Sequence, residues 1–353
     1  MTHSESDLAG LGWSPFFQSQ LSLDELETFA PARVGAVHRN AVEIIAPSLE
    51  THRLPQRYDL DGETGQATVG DWLLVNAELT RIERLLKRRS LFKRKAAGRE
   101  IRYQLLVANV DTLLIVSSCN DDFNLARIER YLAMAKEAGA EPVLLLTKAD
   151  IAEDSESYAT SARVLDPKLF VVICDARDVA VQDVLRPWLG RGKTIALMGS
   201  SGVGKSTLIN TLSGEQQATA AIREDDAKGR HTTSSRSMHR LASGAWLVDT
   251  PGMREIQLAD ASEGVDDVFS DIVELATKCR FSDCQHETEP ECAVQAAILS
   301  GELTQARLER FRKLAREEVL NSNSIIKKRA RSKDLGKLYK SIQREKRSRN
   351  DDV

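Results

Sequence analysis

The stretch Gly199-Ser200-Ser201-Gly202-Val203-Gly204-Lys205-Ser206 decides how the rest of this chain is interpreted. It matches the pattern Gly-x-x-x-x-Gly-Lys-[Ser/Thr] and stands between an apolar run, 194–198, and a predicted helix, 207–212. The glycines of such a loop let backbone N–H groups point at phosphate oxygens, and the helix N-terminus adds partial positive charge. We expect Lys205 to bind the β- and γ-phosphates of a nucleotide and the Ser206 hydroxyl to bind Mg²⁺. The predicted phosphate-binding residues are Gly199, Ser200, Ser201, Gly202, Val203, Gly204, Lys205, Ser206 and Thr207.

A second motif follows the apolar run 245–248, which ends in Asp249-Thr250-Pro251-Gly252. An Asp at such a strand end holds Mg²⁺ through water in P-loop enzymes, and the Gly N–H contacts the γ-phosphate. We therefore expect Asp249 and Gly252 to belong to the nucleotide site. The next residue is Met253, where Ras-like enzymes place a glutamine that orients the attacking water, so another residue has to take that role.

The segment between these motifs contains Lys228-Gly229-Arg230-His231-Thr232-Thr233. A Thr in such a switch segment completes the Mg²⁺ coordination while the γ-phosphate is bound. Thr232 and Thr233 both fit this role, and the sequence does not choose between them. His231 is the nearby candidate for positioning the catalytic water, and a solvated loop histidine is the alternative.

The motif that selects the base lies upstream of the phosphate loop. Guanine-specific GTPases use [Asn/Thr]-Lys-x-Asp, and the chain has Thr147-Lys148-Ala149-Asp150 after the apolar run 142–146. The Asp150 carboxylate can accept hydrogen bonds from the ring N–H and the exocyclic amine of guanine, a donor pair that adenine lacks. We expect Lys148 to lie over the ring face, with Thr147 in the same site; a solvated turn is the alternative. A further segment, 174–177, matches the usual Ser-Ala base contact only at Ala176.

Short apolar runs alternate with helical stretches from residue 112 onward. This rhythm predicts a parallel sheet with helices on both faces, and the ligands of such sheets bind at the C-terminal strand ends, where the motifs fall. The order of the motifs predicts a circularly permuted G-domain that begins at the fourth strand of the standard order and returns later to the first. The runs are 112–116, 142–146, 170–173, 194–198 and 245–248.

The N-terminal third has a different texture. Residues 32–104 show short alternating runs that predict a small β-barrel of the OB type, although a β-sandwich or an SH3-like barrel fits equally well. In the extension before it, Trp13, Phe16 and Phe17 are expected to dock on the body. Two basic stretches, 81–99 and 327–349, predict contacts with nucleic-acid phosphates, although most charge runs are solvated surfaces.

Three cysteines and a histidine form a predicted metal site. Cys279, Cys284, His286 and Cys292 have a spacing that suits tetrahedral Zn²⁺ in a closed, structural set of ligands. Chance clustering is a poor explanation, because the chain has only 5 cysteines. We expect the surrounding helical domain to need the metal in order to fold.

Composition excludes several other classes. The net charge of −3 by itself argues against a nucleic-acid protein, although the basic residues crowd two short stretches. No apolar run approaches the ~20 residues of a membrane helix. The first seven residues lack the basic and apolar regions of a signal peptide. An odd number of cysteines, clustered beside a histidine, suits a reducing compartment. We therefore expect a cytoplasmic protein with no membrane partner.

Taken together, these motifs resemble the circularly permuted, small-ribosomal-subunit-dependent GTPases of the RsgA/YjeQ type. The resemblance covers roughly residues 32–318. It implies an OB-fold N-terminal domain, a permuted G-domain and a C-terminal zinc domain, with GTP hydrolysis that the small subunit stimulates during its late maturation. It also implies that His231 takes part in hydrolysis. The departures are Thr147 for the commoner Asn, Asp175 for the commoner Ser, and the long basic tail.

The sequence therefore predicts a multidomain α/β protein. Its predicted parts are an N-terminal extension (1–31), an OB-fold β-barrel (32–104), a circularly permuted P-loop GTPase domain (105–262), a helical zinc domain (263–320) and a basic tail (321–353). The expected ligands are GTP or GDP with Mg²⁺ and one structural Zn²⁺, and the expected partner of this monomer is the small ribosomal subunit with its rRNA. Three alternatives stay open: an RNA-binding protein gated by nucleotide, an ATP-using P-loop enzyme, and a permuted GTPase that serves the large subunit.

Overall fold

The computed structural model describes residues 5–57, 59–60, 65–95, 103–214, 236–249 and 261–321. The strands in these ranges are β1 (Phe29–Val37), β2 (Ala41–Ile45), β3 (Thr51–Pro55), β4 (Trp72–Asn76), β5 (Ile82–Leu85), β6 (Leu91–Lys95), β7 (Tyr103–Ala108), β8 (Thr112–Ser118), β9 (Glu141–Thr147), β10 (Phe170–Ile173), β11 (Thr194–Met198), β12 (Arg236–Arg240) and β13 (Trp246–Asp249). The helices are α1 (Glu5–Gly10), α2 (Pro15–Gln18), α3 (Leu23–Thr28), α4 (Leu125–Ala138), α5 (Ser155–Arg163), α6 (Val181–Val184), α7 (Lys205–Ser213), α8 (Ser262–Val268), α9 (Ser270–Ala276), α10 (Ala293–Ser300) and α11 (305–321), with a 3₁₀ turn at Ala149–Ile151.

The sheet that carries the predicted nucleotide motifs has the spatial order β10-β9-β8-β11-β13-β12. Its neighbouring strands are parallel from β10 to β13, and β12 runs antiparallel to β13. β11 precedes the phosphate loop and lies between β8 and β13, although β9 and β10 come between β8 and β11 along the chain. Strands from before and after the phosphate loop thus build one sheet around it, which confirms the predicted permuted order.

Helices cover both faces of this sheet. Successive side chains along a strand point to opposite faces, so the continuous apolar strands make both faces apolar. Leu113 and Ile115 of β8 belong to the core that includes Leu132 of α4. Leu114 of β8 belongs to a second core, which includes Leu208 of α7. This double covering is the arrangement that a parallel sheet with apolar strands requires. It leaves the C-terminal strand ends available for a ligand.

The N-terminal strands extend the same sheet. β1 pairs with β2 and β4, β2 pairs with β3, and β4 pairs with β5, all antiparallel. β6 and β7 form a separate antiparallel pair. Val34, Ile44 and Leu73 lie in an apolar core that belongs to this region. The predicted N-terminal β-domain is therefore present, and its strands begin at Phe29 and end at Ala108. β1 also pairs antiparallel with β12, which joins the two regions.

The N-terminal extension docks through its aromatic side chains, as expected. The rings of Trp13 and Phe17 lie 4.8 and 5.7 Å from the ring of Trp72 on β4, centroid to centroid. Phe17 is buried, whereas Phe16 stays exposed on the outside of this cluster. Two of the three aromatic residues therefore anchor the extension.

A buried arginine connects the extension, the β-domain and the central sheet. Arg33 of β1 donates hydrogen bonds to the carbonyl oxygens of Leu11 and Asn109 and, at 2.7 Å, to the hydroxyl of Thr194 on β11. Burial lowers the pKa of Arg33 to about 10, so the guanidinium is still charged at neutral pH. Carbonyl and hydroxyl oxygens solvate this charge inside the protein.

The C-terminal helices pack against α4. Glu129 of α4 is fully buried and accepts hydrogen bonds from Arg307 at 3.1 Å and from Arg310 at 2.7 Å, both on α11. Burial raises the pKa of Glu129, and the two guanidinium groups oppose that shift. Arg307 also contacts Asp271 of α9, so one charged network ties three helices together. Among the described residues, no helix combines the length and the apolar character that crossing a membrane requires.

Candidate nucleotide and metal sites

The phosphate loop forms the turn between β11 and α7, as the sequence predicts. Gly202 and Gly204 have φ angles of 81° and 95°, a region that suits glycine. A Cβ atom on Gly199 would clash with the backbone carbonyl of Val116, because the loop lies directly against the end of β8. α7 begins at Lys205, so the unpaired N–H groups of its first turn are directed toward the loop.

Lys205 is buried under this loop. Its Nζ donates to the carbonyl oxygen of Gly199 at 2.8 Å and to that of Ser200. The neighbouring Ser206 is exposed at the start of α7. The two residues predicted to bind phosphate and Mg²⁺ thus stand side by side at the helix N-terminus.

The base-recognition motif reaches the phosphate loop directly. Thr147 ends β9, is fully buried and pairs with Ser118 of β8. Its hydroxyl oxygen lies 2.6 Å from the carbonyl oxygen of Val203 and 3.1 Å from that of Ser117. A hydroxyl has one proton, and the shorter distance makes Val203 the main acceptor. A segment encoded before the phosphate loop therefore folds back to lie beside it.

Asp150 sits on a short turn after this threonine. Lys148 has a φ of 59°, and the chain then enters the 3₁₀ turn that contains Asp150. Asp150 Oδ2 accepts a hydrogen bond from Arg177 Nη2 at 2.6 Å. Arg177 also donates to Asp175 through Nε at 3.0 Å and Nη2 at 2.9 Å, and these bonds lower the pKa of Asp175. The segment 174–177 thus lies beside Asp150. Arg177 forms the contact between the two, and the sequence analysis did not predict a role for this arginine.

Asp122 is a further residue that sequence reasoning missed. It lies between β8 and α4, and its carboxylate accepts from Ser200 Oγ at 2.5 Å and from Arg127 Nη1 at 2.8 Å. Hydrogen bonds from Ser200 and Arg127, together with the charge of Lys148, lower the pKa of Asp122. The ionised side chain ties the phosphate loop to the first turn of α4. No local signal points to it, because Ser200 is 78 residues away along the chain.

Other predicted site residues are only partly described. His231, Thr232, Thr233 and Gly252 lie outside the described residues, and their roles stay predictions. Asp249 is the last residue of β13, where its backbone pairs with Ser237 of β12. Since β13 runs parallel to β11, Asp249 stands at the same edge of the sheet as the phosphate loop.

The predicted metal ligands come together near the start of α10. The ligand atoms of Cys279, Cys284, His286 and Cys292 all lie within 4.8 Å of one another. Cys279 Sγ is 3.8 Å from Cys292 Sγ, and His286 Nδ1 is 3.6 Å from the first and 3.5 Å from the second. Sulfur ligands at about 2.3 Å from a tetrahedral ion are separated by roughly 3.8 Å. The cluster can therefore hold a metal ion.

Hydrogen bonds shape the loop around this cluster. The Glu289 carboxylate accepts from the backbone N–H groups of Gln285 and Glu287, each at 2.8 Å. These bonds lower the pKa of Glu289 to about 2. Cys292 is the N-cap of α10, and its Sγ accepts from the N–H of Gln295 at 3.4 Å. Such contacts to a sulfur ligand and to the loop that carries the histidine orient the metal-binding set.

Four arginines of the basic stretch 81–99 form ion pairs within the chain. Arg88 contacts Asp71 at 2.7 Å, and burial raises the pKa of that fully buried carboxyl, so the guanidinium stabilises a charge that the interior disfavours. The predicted contact of this stretch with nucleic-acid phosphates stays a prediction, and the Arg81 side chain remains 71% exposed beside its acidic partner. The basic tail, 327–349, lies outside the described residues. The pairs are Arg81–Glu83, Arg84–Glu25, Arg88–Asp71 and Arg89–Asp111.

The fold and the site together define a class of protein. The chain has the features of a circularly permuted P-loop GTPase. The phosphate loop lies at the C-terminal edge of a parallel sheet, a guanine-type motif is hydrogen-bonded to that loop, and the strands follow a permuted order.

Comparison with known proteins then identifies the family. The RsgA GTPase family model matches residues 85–259. The chain is 49% identical over 348 residues to the small ribosomal subunit biogenesis GTPase RsgA 2 of Vibrio vulnificus, with 98% of each chain covered. It is 48% identical over 328 residues to the small ribosomal subunit biogenesis GTPase RsgA of Mesorhizobium japonicum, with 91% of this chain and 93% of the relative covered. The chain belongs to the RsgA family of GTPases and is an enzyme that hydrolyses GTP.

Solved structures agree with this assignment. YjeQ from Thermotoga maritima matches with a TM-score of 0.60 and 26% identity, covering 81% of this chain and 97% of that protein. YloQ, described as a circularly permuted GTPase, matches with a TM-score of 0.58 and 20% identity, covering 82% and 94%. At that identity the second comparison supports the fold alone.

Proposed function

We propose that the chain binds the small ribosomal subunit and hydrolyses GTP during the late maturation of that subunit. Relatives that are 49% and 48% identical carry the name small ribosomal subunit biogenesis GTPase. The observation within the chain that carries the proposal is the 2.6 Å contact between the Thr147 hydroxyl and the Val203 carbonyl. It joins the predicted base-binding segment to the phosphate loop, so the two belong to one site.

In this site the phosphates bind to the loop 199–204 and to Lys205, with Thr207 in the first turn of the helix. Ser206 binds Mg²⁺ directly and Asp249 binds it through water. A Mg²⁺ ion held there would neutralise part of the phosphate charge, and the loop N–H groups would donate hydrogen bonds to the phosphate oxygens on which charge develops. His231 positions the attacking water. Gly252 contacts the γ-phosphate, and Thr232 or Thr233 completes the Mg²⁺ coordination.

The base is guanine in this proposal. Asp150 accepts hydrogen bonds from the ring N–H and the exocyclic amine, and Lys148 covers the ring. An adenine base would leave the Asp150 carboxylate without its donors, which is how such a site discriminates against ATP.

The cysteine–histidine cluster holds one structural Zn²⁺. Three thiolates and one imidazole suit this ion, and a set of four protein ligands leaves no open position for catalysis. The protein works as a monomer in the cytoplasm, and the zinc domain, the β-domain and the basic tail contact rRNA.

The test is GTP turnover measured with purified small or large ribosomal subunits added separately. Small subunits should stimulate turnover and large subunits should not. Equal stimulation by both, or by neither, would contradict the proposed partner. Nucleotide-gated RNA binding with incidental turnover predicts that small subunits bind the protein without raising the rate.

The base assignment has its own test. Asp150→Asn removes charge-assisted hydrogen bonds worth about 1.5–3 kcal/mol, so GTP affinity should fall at least roughly tenfold. Glu153→Gln is the matched control, because this exposed acid lies close by and outside the motif. Unchanged GTP affinity in Asp150→Asn, or equal binding of GTP and ATP by the wild type, would refute the assignment.

A further inference from the structure

Two carboxylates and one guanidinium meet beside the predicted guanine pocket. Asp150 follows β9, while Asp175 and Arg177 follow β10, the next strand in the sheet. Arg177 Nη2 lies 2.6 Å from Asp150 Oδ2 and 2.9 Å from Asp175 Oδ2, so one nitrogen contacts both acids. A second nitrogen, Nε, lies 3.0 Å from Asp175 Oδ1. The arginine therefore bridges the two acids.

The loop that carries this arginine is held in place independently of the ion pairs. The N–H of Cys174 donates to Leu146 of β9 at 2.9 Å. Ala176 is buried, and its carbonyl oxygen accepts from the Thr211 hydroxyl of α7 at 2.7 Å. The loop is thus fastened to the strand before the base motif and to the helix after the phosphate loop.

Asp175 changes how residue 175 can interact with the neighbouring Asp150 carboxylate. A serine, which is usual here, has a hydroxyl that can donate a hydrogen bond to a neighbouring carboxylate. An ionised aspartate can only accept hydrogen bonds, and it places a second negative charge near Asp150. A donor with positive charge is needed between the two, and Arg177 provides one.

We infer that Arg177 determines guanine specificity in this chain by holding the Asp150 carboxylate oriented for the base. The inference rests on the proposed nucleotide function of the site. Arg177 contacts Asp150 Oδ2, and a carboxylate with two oxygens and about four lone-pair directions can accept further donors. The ring N–H and the 2-amino group of guanine are those donors. Arg177 acts on the base through Asp150, so it is a positioning residue.

The expected size of the effect follows from exposure. The Arg177 side chain is 66% exposed and that of Asp150 is 30% exposed, so solvent weakens their attraction. We therefore expect a moderate effect: Arg177→Gln should raise the Kd for GDP about twofold to fivefold.

The experiment compares GDP with IDP, whose hypoxanthine base has the ring N–H and lacks the 2-amino group. Both affinities are measured by calorimetry on the full chain, for the wild type, Arg177→Gln, Arg177→Lys and the double variant Asp175→Asn/Arg177→Gln. Arg177→Gln should lose more affinity for GDP than for IDP, because only guanine uses both acceptor interactions. Arg177→Lys keeps the positive charge, so it should lose less GDP affinity than Arg177→Gln. The double variant also removes the second acid through Asp175→Asn, so it should bind GDP more tightly than Arg177→Gln alone.

Arg186→Gln is the matched control, since Arg186 is an exposed arginine just after α6 whose ion-pair partner in the described part of the chain is the surface residue Asp183. Thermal melting of each variant checks that it is folded. Three results would overturn the inference: unchanged GDP affinity in Arg177→Gln, a gain in affinity, or equal losses for GDP and IDP without recovery in the double variant. Failure of the proposed function is distinguishable, because it would appear in the wild type as a lack of preference for GDP over ADP.

Discussion

The Thr147 hydroxyl joins the base-recognition motif to the phosphate loop, and Thr147→Val removes it with little change of shape. Thr147 is fully buried and Val203 is almost fully buried, so the carbonyl oxygen of Val203 loses its partner where water cannot replace it. A buried polar group left unpaired costs about 1–3 kcal/mol. For a domain of ordinary size, a loss of about 2 kcal/mol lowers the melting temperature by roughly 4–8 °C.

Nucleotide affinity should fall in the same variant. The base and phosphate segments would no longer be fixed relative to each other, and part of the binding free energy would be used to order them. We expect the Kd for GDP to rise about threefold to tenfold. Calorimetric titration of the nucleotide-free protein measures the affinity, and thermal unfolding without nucleotide measures the stability.

Thr147→Ser is the control for this prediction. It keeps the hydroxyl and removes a methyl group, so it should lose about 1 kcal/mol of stability through the small cavity and keep its affinity for GDP. If both variants bind GDP as tightly as the wild type, the hydroxyl does not couple the two segments. If Thr147→Ser loses as much affinity as Thr147→Val, packing explains the effect and the hydrogen bond does not.

Two further predictions concern the metal cluster and the buried charge network. A chelator should make the three cluster cysteines react faster with a thiol reagent at pH 7.5, because a bound metal no longer protects them. Cys119 and Cys174 should react slowly with or without the chelator, because burial raises the pKa of both and brings that of Cys174 to about 12. Reaction rates that the chelator leaves unchanged would contradict this. Arg307→Met should destabilise the protein by about 3 kcal/mol in chemical unfolding, because Glu129 stays buried with Arg310 as its remaining partner. A loss below about 1 kcal/mol would show that this network does not hold the C-terminal helices to α4.

The sequence predicted those parts of the site that depend on local order along the chain. A phosphate loop needs a strand before it and a helix after it, and 194–212 contains all three. The permuted sheet followed from motifs at strand ends, since parallel strands bring their C-terminal ends to one edge. The metal cluster followed from the spacing of scarce cysteines.

Contacts between distant segments could not be predicted in this way. The pairing of Asp150 with Arg177 exists only after β9 and β10 have aligned, and the contact of Asp122 with Ser200 needs β8 beside β11. The basic stretch 81–99 also depends on contacts with distant segments. Its arginines predict contacts with nucleic-acid phosphates, and the structure shows a further role for Arg88, which compensates the charge of the buried Asp71. A charge pattern does not reveal a partner that the fold brings from elsewhere.

The pairing of β1 with β12 has a practical consequence for dissecting this molecule. Val37 and Ala36 of β1 stand opposite Arg236 and Ser237, so the β-domain covers the outer edge of the strand next to β13. A fragment that starts at residue 105 would leave that edge open to other chains, and open edges of this kind promote aggregation. If such a fragment is insoluble, the loss of the pairing between β1 and β12 explains it. Adding the N-terminal part of the chain as a separate fragment should then restore solubility.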